Sequence, residues 1–202
     1  MPKKPANLKV AQGQRTLSEL LEIAENLFAK KGYAETTTAE IIALAGVTKG
    51  ALYHHFASKR ELFEAVYIAA EREVAKRIDA ASTSEQDPWK RLIAGCNAYL
   101  EACSDIGLQR ILRVDGPAAL GLETWRRIDH KFGLERLLPF LQLLSDNHVI
   151  AVSSVEAFGR QLTGAMNEAT FWIAQHPNRE DALKQSQETL GNLLAGIRVK
   201  PG

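Results

Sequence analysis

The chain has 202 residues, is 46% hydrophobic and 24% charged, and carries a formal net charge of +1. This length allows one large domain or two small ones, and the hydrophobic share is that of a soluble globular protein. No apolar run approaches the ~20 residues that span a bilayer, and the start MPKKPANLKV has no apolar signal core, so a cytoplasmic protein without membrane attachment is expected. The near-neutral total hides an asymmetry. Residues 1–63 hold nine Lys+Arg against six Asp+Glu, and residues 64–202 hold sixteen against eighteen. A basic head on a mildly acidic body suits a polyanion partner for the head alone.

Residues 1–14 lack an apolar pattern and carry Pro2, Pro5 and Gly13; they read as a flexible basic arm of the kind that reaches a DNA minor groove, or as a solvated tail. Helix 1 is expected from about Thr16, with Glu19 completing a capping box, to Lys31. Leu17, Leu20, Leu21, Ala24, Leu27 and Phe28 form its apolar stripe, and Gly32 stops it. Thr37 with Glu40 caps helix 2, Gly46 ends it, and Thr48 caps helix 3, which runs to about His55. Ser58 with Glu61 caps helix 4. With no Pro or Gly between Gly50 and Pro88, that helix continues to about Ala81 and joins head to body stiffly.

Beyond it, Asp87-Pro88 starts helix 5, about 88–104, followed by a short helix over 105–114. Asp115-Gly116-Pro117 reads as a strong break. Helix 7 covers about 122–144, interrupted near Gly133 or Pro139. Residues 145–152 form a loop. Ser153 with Glu156 caps helix 8, about 154–175, and helix 9 covers about 179–197. No strand, internal repeat or low-complexity segment is expected. The fold class is therefore all-α, with about nine helices: a helix-turn-helix head over 15–62 and a helical body over 63–202.

A helix, a Gly-bearing turn and a second helix match a helix-turn-helix, whose second helix enters the DNA major groove. The stretch also resembles the DNA-binding domain of the TetR family of transcriptional regulators. Gly32-Tyr33, Thr36-Thr37-Thr38, Ile41-Ile42, Ala45-Gly46-Val47, the run Thr48-Lys49-Gly50-Ala51-Leu52-Tyr53-His54-His55-Phe56, Lys59 and Glu61-Leu62-Phe63 carry the resemblance. It is strong over residues 15 to about 65; beyond that only length and helical pattern are similar.

The resemblance implies that Thr48, Lys49 and Gly50 face the groove at the start of helix 3. Lys49 can donate to guanine O6 and N7, Thr48 can bond a base edge or a phosphate, and Gly50 permits close backbone approach. Ala51 can meet a thymine methyl or simply pack, and His54 can donate to a base or a phosphate. Tyr53 and His55 are expected on phosphates, as are Thr38 and Lys59; Thr37 and Ala39 complete the expected surface. Leu52, Val47 and Phe56 read as core.

His54 and His55 point about 100° apart on a helix and cannot chelate one ion. No HExxH, CxxC, GxSxG or P-loop pattern occurs, so no metal, cofactor or catalytic residue is expected. Cys96 and Cys103 lie ~10 Å apart along one helix, too far to bridge, and read as two buried thiols, with a redox sensor as the alternative.

Such heads act in pairs, so a homodimer surface is expected on helices 8 and 9, from Phe158, Leu162, Ala165, Ala169, Leu190 and Leu194; an ordinary internal core is the competing reading. By the same resemblance the body holds a small, largely apolar effector. Tyr99, Cys103, Leu112, Trp125, Ile128, Phe132, Leu137, Phe140, Met166 and Trp172 are the candidate lining, and equally what a solid core needs. The function expected is a repressor released from a palindromic double-stranded DNA operator by that effector. An activator or effector-independent DNA-binding protein of the same fold, a dimer that organises DNA without sequence preference, and an all-helical enzyme are the alternatives.

Overall fold

The computed structural model describes residues 6–199 of the chain, and these are almost wholly helical. The segments are α1 (Ala6–Lys31), α2 (Thr38–Ala45), α3 (Lys49–His55), α4 (Lys59–Thr83), α5 (Pro88–Ser104), α6 (Ile106–Gln109), a π-helical turn (Arg110–Asp115), α7 (Gly116–Leu120), α8 (Leu122–Phe132), α9 (Leu134–Asp146), α10 (Val155–Gln175) and α11 (Arg179–Ala195).

Several boundaries follow the capping chemistry. Thr37, Thr48, Ser58 and Asp87 each accept a hydrogen bond from the backbone N–H three residues on. Others differ from expectation. Residues 6–14 are helical, not a flexible arm; residues 1–5 lie outside the described residues. Thr16 is therefore mid-helix, because Gly13 costs only ~1 kcal/mol relative to Ala and cannot stop a helix with no proline inside it. Asp115-Gly116-Pro117 does not break the chain. The π turn passes directly into α7, and the turn falls at Gly121 (φ +75°). Gly116 is needed there for space, since a Cβ would lie 2.7 Å from Cε2 of Tyr67. The interruption near 133 falls at Gly133, while the exposed Pro139 sits inside α9. Ser154, not Ser153, caps α10. An antiparallel bridge between Ile150 and Arg198 ties the loop after α9 to the segment after α11.

Two cores hold these helices. The first runs without a gap from head to body: Leu20, Phe28, Ile41, Leu52, Phe56, Leu62 and Phe63 share it with Val74, Cys103, Ile111, Leu112 and Ile128. Phe28, Tyr33 and Phe63 stack edge-on at its upper end. The second core packs Trp89, Leu92, Cys96 and Leu100 of α5 against Leu141 and Leu144 of α9, Leu162 and Met166 of α10, and Leu190 and Leu194 of α11. Helix α4, 25 residues and so ~37 Å long, reaches from the aromatic cluster to the body.

Cys96 and Cys103 are buried free thiols. Burial pushes the Cys96 thiol up to about 12 and raises Cys103 as well, so neither has the thiolate character of a redox sensor.

Candidate nucleic-acid interface

The reading unit is α2, a tight turn and α3. Thr37 Oγ1 accepts from Glu40 N–H at 3.2 Å, and the Glu40 carboxylate pairs with Lys31 of α1 instead of reaching back to its own cap. Gly46 adopts φ +62°, ψ +26°, the left-handed conformation that closes α2. Its N–H donates to Ala43 O, and Val47 N–H donates to Ile42 O. Thr48 Oγ1 then accepts from Ala51 N–H at 3.2 Å and starts α3.

Helix α3 is seven residues, ~10 Å. Leu52 faces inward with no exposed surface, and Phe56 follows it into the core. That leaves Thr48, Lys49, Gly50, Tyr53 and His54 exposed, with Ala51 and His55 half-buried at the edge. Thr38 of α2 brings its hydroxyl to 3.5 Å from the Tyr53 hydroxyl, and Lys49 Nζ lies 5.9 Å from the Tyr53 ring centroid. Thr38, Lys49 and Tyr53 therefore meet at one edge, beside the exposed Thr37 and Ala39. This edge offers hydroxyls, one ammonium and a backbone free of Cβ at Gly50, the donor set that phosphates and groove edges accept.

Lys59 has partners within the chain. Its ammonium donates to Ala34 O at 3.2 Å and sits 4.4 Å over the Tyr33 ring. These contacts offset its unfavourable place in the first turn of α4 and hold it against the Tyr33 loop. His54 and His55 stack edge-on at 5.3 Å, and among the described residues no group of three His, Cys, Asp or Glu is placed to hold a metal ion.

The body contains a cavity of about 250 Å³ between α4, α5, α8, α9 and α10. Of the candidate lining residues, Tyr99, Phe132, Leu137, Phe140 and Met166 border it. Cys103, Leu112 and Ile128 do not, because they are packed into the first core. Trp125 is turned away, donating its indole N–H to Leu112 O at 3.2 Å. Trp172 is 42% exposed on the outside of α10, against His176.

The cavity also has a polar end that the sequence reading missed. Arg113, 2% exposed, pairs with Asp129 at 2.8 Å and donates to the Tyr99 hydroxyl. Tyr99 donates to Asn167 Oδ1, and Asn167 donates to Asp129 Oδ2. Glu71, 5% exposed, accepts from the Tyr67 hydroxyl at 3.0 Å. Burial raises the Glu71 carboxyl to about 7, partly opposed by the Arg113 charge. The available signal was Glu71 itself, a carboxylate in the buried stripe of α4 between Tyr67, Ala70 and Val74; Arg113 and Asp129 left no pattern.

Three further links join this body to the head. Arg110 donates to Lys30 O at 2.5 Å at the end of α1, Asp115 accepts from Tyr33 N–H at 2.8 Å, and Arg60 donates to Leu120 O at 2.6 Å.

Of the expected dimer residues, Leu162, Leu190 and Leu194 are buried in the chain's own second core, and Phe158 and Ala169 pack partly against it; the helical stripe they occupy is the inner one. Ala165 is exposed, as are Trp172 and Leu193, which are 42% and 64% open to solvent.

Residues 20–66 match the family model for bacterial regulatory proteins of the tetR family, and residues 89–197 match that for the tetracyclin repressor-like C-terminal domain. The HTH-type transcriptional regulator TtgR of Pseudomonas putida is 42% identical over 76 residues, which are 38% of this chain and 36% of that protein. The chain thus spans little more than a third of that curated relative. A solved TetR-family transcriptional regulator from Pectobacterium atrosepticum is 33% identical, with 95% of this chain and 98% of that one covered and a TM-score of 0.80. The ketosteroid transcriptional regulator KstR2 of Mycobacterium tuberculosis shares the fold at 24% identity, covering 91% and 95%, with a TM-score of 0.62.

Proposed function

The chain belongs to the TetR family of transcriptional regulators, and from that premise we propose that it is a homodimeric repressor that leaves a palindromic operator when a small molecule fills the body cavity. The observation that carries this reading is the exposed edge of Thr48, Lys49, Gly50 and Tyr53 beside the half-buried Thr38, backed by the fully buried Leu52. His54, and His55 beside it, extend that edge toward phosphates. Lys59, anchored to Ala34 O, supplies charge beside the backbone without sweeping freely.

A single short helix reads few bases, so two heads are needed. The outer faces of α10 and α11 supply the dimer surface in this reading. Ala165, Trp172 and Leu193 stand out there as uncovered apolar residues, and the half-buried Ala169 and Phe158 border them. Glu71 lines the cavity and Leu62 and Phe63 fill the head core, all on α4. A ligand that moves α4 therefore moves the heads. Effector and DNA then favour different head spacings, a negative coupling of ~1–3 kcal/mol. No helix among the described residues is long and apolar enough to cross a membrane, which fits a regulator acting on cytoplasmic DNA.

Selection of bound duplexes from a random pool tests the reading. The expected product is a palindrome whose half-sites are ~34 Å apart or a multiple of that, with binding that weakens steeply as salt rises. Uniform retention of all duplexes would make the protein a DNA organiser instead, and no capture at low salt would end the DNA reading.

A further inference from the structure

Resting on the cavity as the effector site, we propose that the effector is a small organic monocation, an alkyl or aryl amine whose ammonium is held by Glu71. The cavity has two unlike ends. On α4 it runs from Glu71 to Ser82, eleven residues and so ~16 Å. At the Glu71 end stand Tyr99, Asp129 and Asn167, and at the Ser82 end stand Arg91 and Arg136 with Asp79. Between them Val74, Ile78, Leu92, Phe132, Phe140 and Met166 give apolar walls.

The charges at the Glu71 end are ion-paired, with one exception. Arg113 is committed to Asp129 and the Tyr99 hydroxyl. Glu71 has one hydrogen bond, from Tyr67 to Oε1, and no ion-pair partner among the described residues. A carboxyl that is 5% exposed, borders a cavity and has only the non-contacting positive charge of Arg113 near it would gain an ion pair from an arriving ammonium. A carboxylate at the Glu71 end would meet both Glu71 and Asp129 and be repelled, and would have to turn to Arg91, whose buried Nε has no hydrogen bond among the described residues. A neutral alcohol would gain a hydrogen bond but no ion pair. A diamine would place its second charge toward Arg91, whose guanidinium lies 5.4 Å over the Phe140 ring. At roughly 30 Å³ per water-sized group, the volume of about 250 Å³ suits a ligand the size of octylamine.

Binding couples to a proton. The groups facing Glu71 are Tyr67 on its own helix, Tyr99 and Cys103 on α5, Arg113 on the π turn and Asp129 on α8. With the Glu71 carboxyl near 7, an arriving ammonium favours its ionised form and expels the proton where it is still bound. Proton release is therefore largest at pH 6 and small at pH 8, and amine affinity rises across that interval.

Calorimetry of the full chain with octylamine, 1-octanol and octanoate, at pH 6, 7 and 8 in buffers of different ionisation heat, tests this. The expected order is octylamine at least tenfold tighter than octanol and tighter than octanoate, with proton release at pH 6 for the amine alone. Glu71→Gln, checked for folding by circular dichroism, is expected to bind octylamine and octanol within about twofold of each other. Equal binding of octanol or octanoate by the native chain, or an amine preference that survives Glu71→Gln, overturns the proposal. Operator affinity measured with saturating octylamine separates the two readings. Amine binding that leaves DNA affinity unchanged keeps the ligand class and removes the effector role.

Discussion

The backbone N–H of Tyr33 donates to Asp115 Oδ2 at 2.8 Å across 82 residues of sequence. The loop that precedes the reading unit is thereby tied to the π turn that also carries the buried Arg113. Asp115→Ala leaves a part-buried N–H without a partner, a cost of about 1–2 kcal/mol. The expected result is a lower melting temperature, with faster amide exchange in residues 33–47 than in α10. Uniform exchange change, or none, would show that the link does not steady the head.

Lys49 and Tyr53 share the exposed edge but are assigned different jobs. Lys49→Ala is expected to relax base preference at one position in each half-site, about 1–3 kcal/mol of discrimination. Tyr53→Phe is expected to weaken binding to all duplexes alike by removing one phosphate contact. Duplex selection with each variant checks both. A uniform loss for Lys49→Ala would make it a backbone contact.

Trp172 and Leu193 are large apolar side chains left open on α10 and α11. Trp172→Arg, or Leu193→Glu, is expected to yield monomers in sedimentation while the helical content stays constant. A dimer that survives both changes would place the interface elsewhere.

The Glu71 carboxyl gives stability a pH dependence of definite sign. Its value is raised by burial from 4.5 to about 7 in the folded chain, so the folded state binds more protons between those limits. Stability is expected to fall as pH rises from about 4.5 through 7, by on the order of 3 kcal/mol at most. Melting curves over pH 4.5–8 for the native chain and for Glu71→Gln isolate the effect, since the variant lacks it. Parallel curves would mean that Glu71 does not hold its proton.

Local capping chemistry made the head legible from sequence. Thr37, Thr48 and Ser58 each need only a neighbour three residues away to fix a helix start, and Gly46 fixes an end by its own backbone freedom. The same logic misread Gly13 and Gly116, which are inside helical structure. One is a tolerated weakness; the other is a packing requirement imposed by Tyr67, forty-nine positions earlier in the chain. The body was less legible because its site is assembled by pairing across distance. Arg113 finds Asp129, and Tyr99 finds Asn167, through the crossing of separate helices. Of the expected dimer residues, Leu162, Leu190 and Leu194 lie on a stripe of α10 and α11 that serves the chain's own core, a use that an apolar stripe in the sequence does not distinguish from pairing with a second chain.

The unbroken first core has a consequence for engineering. Phe63, Val66 and Tyr67 bury against residues from both halves, so a cut after residue 62 would open a raw hydrophobic seam on each piece. Grafting this head onto a foreign sensor body therefore requires carrying the upper half of α4 and a surrogate for the α6–α7 buttress, not the reading unit alone.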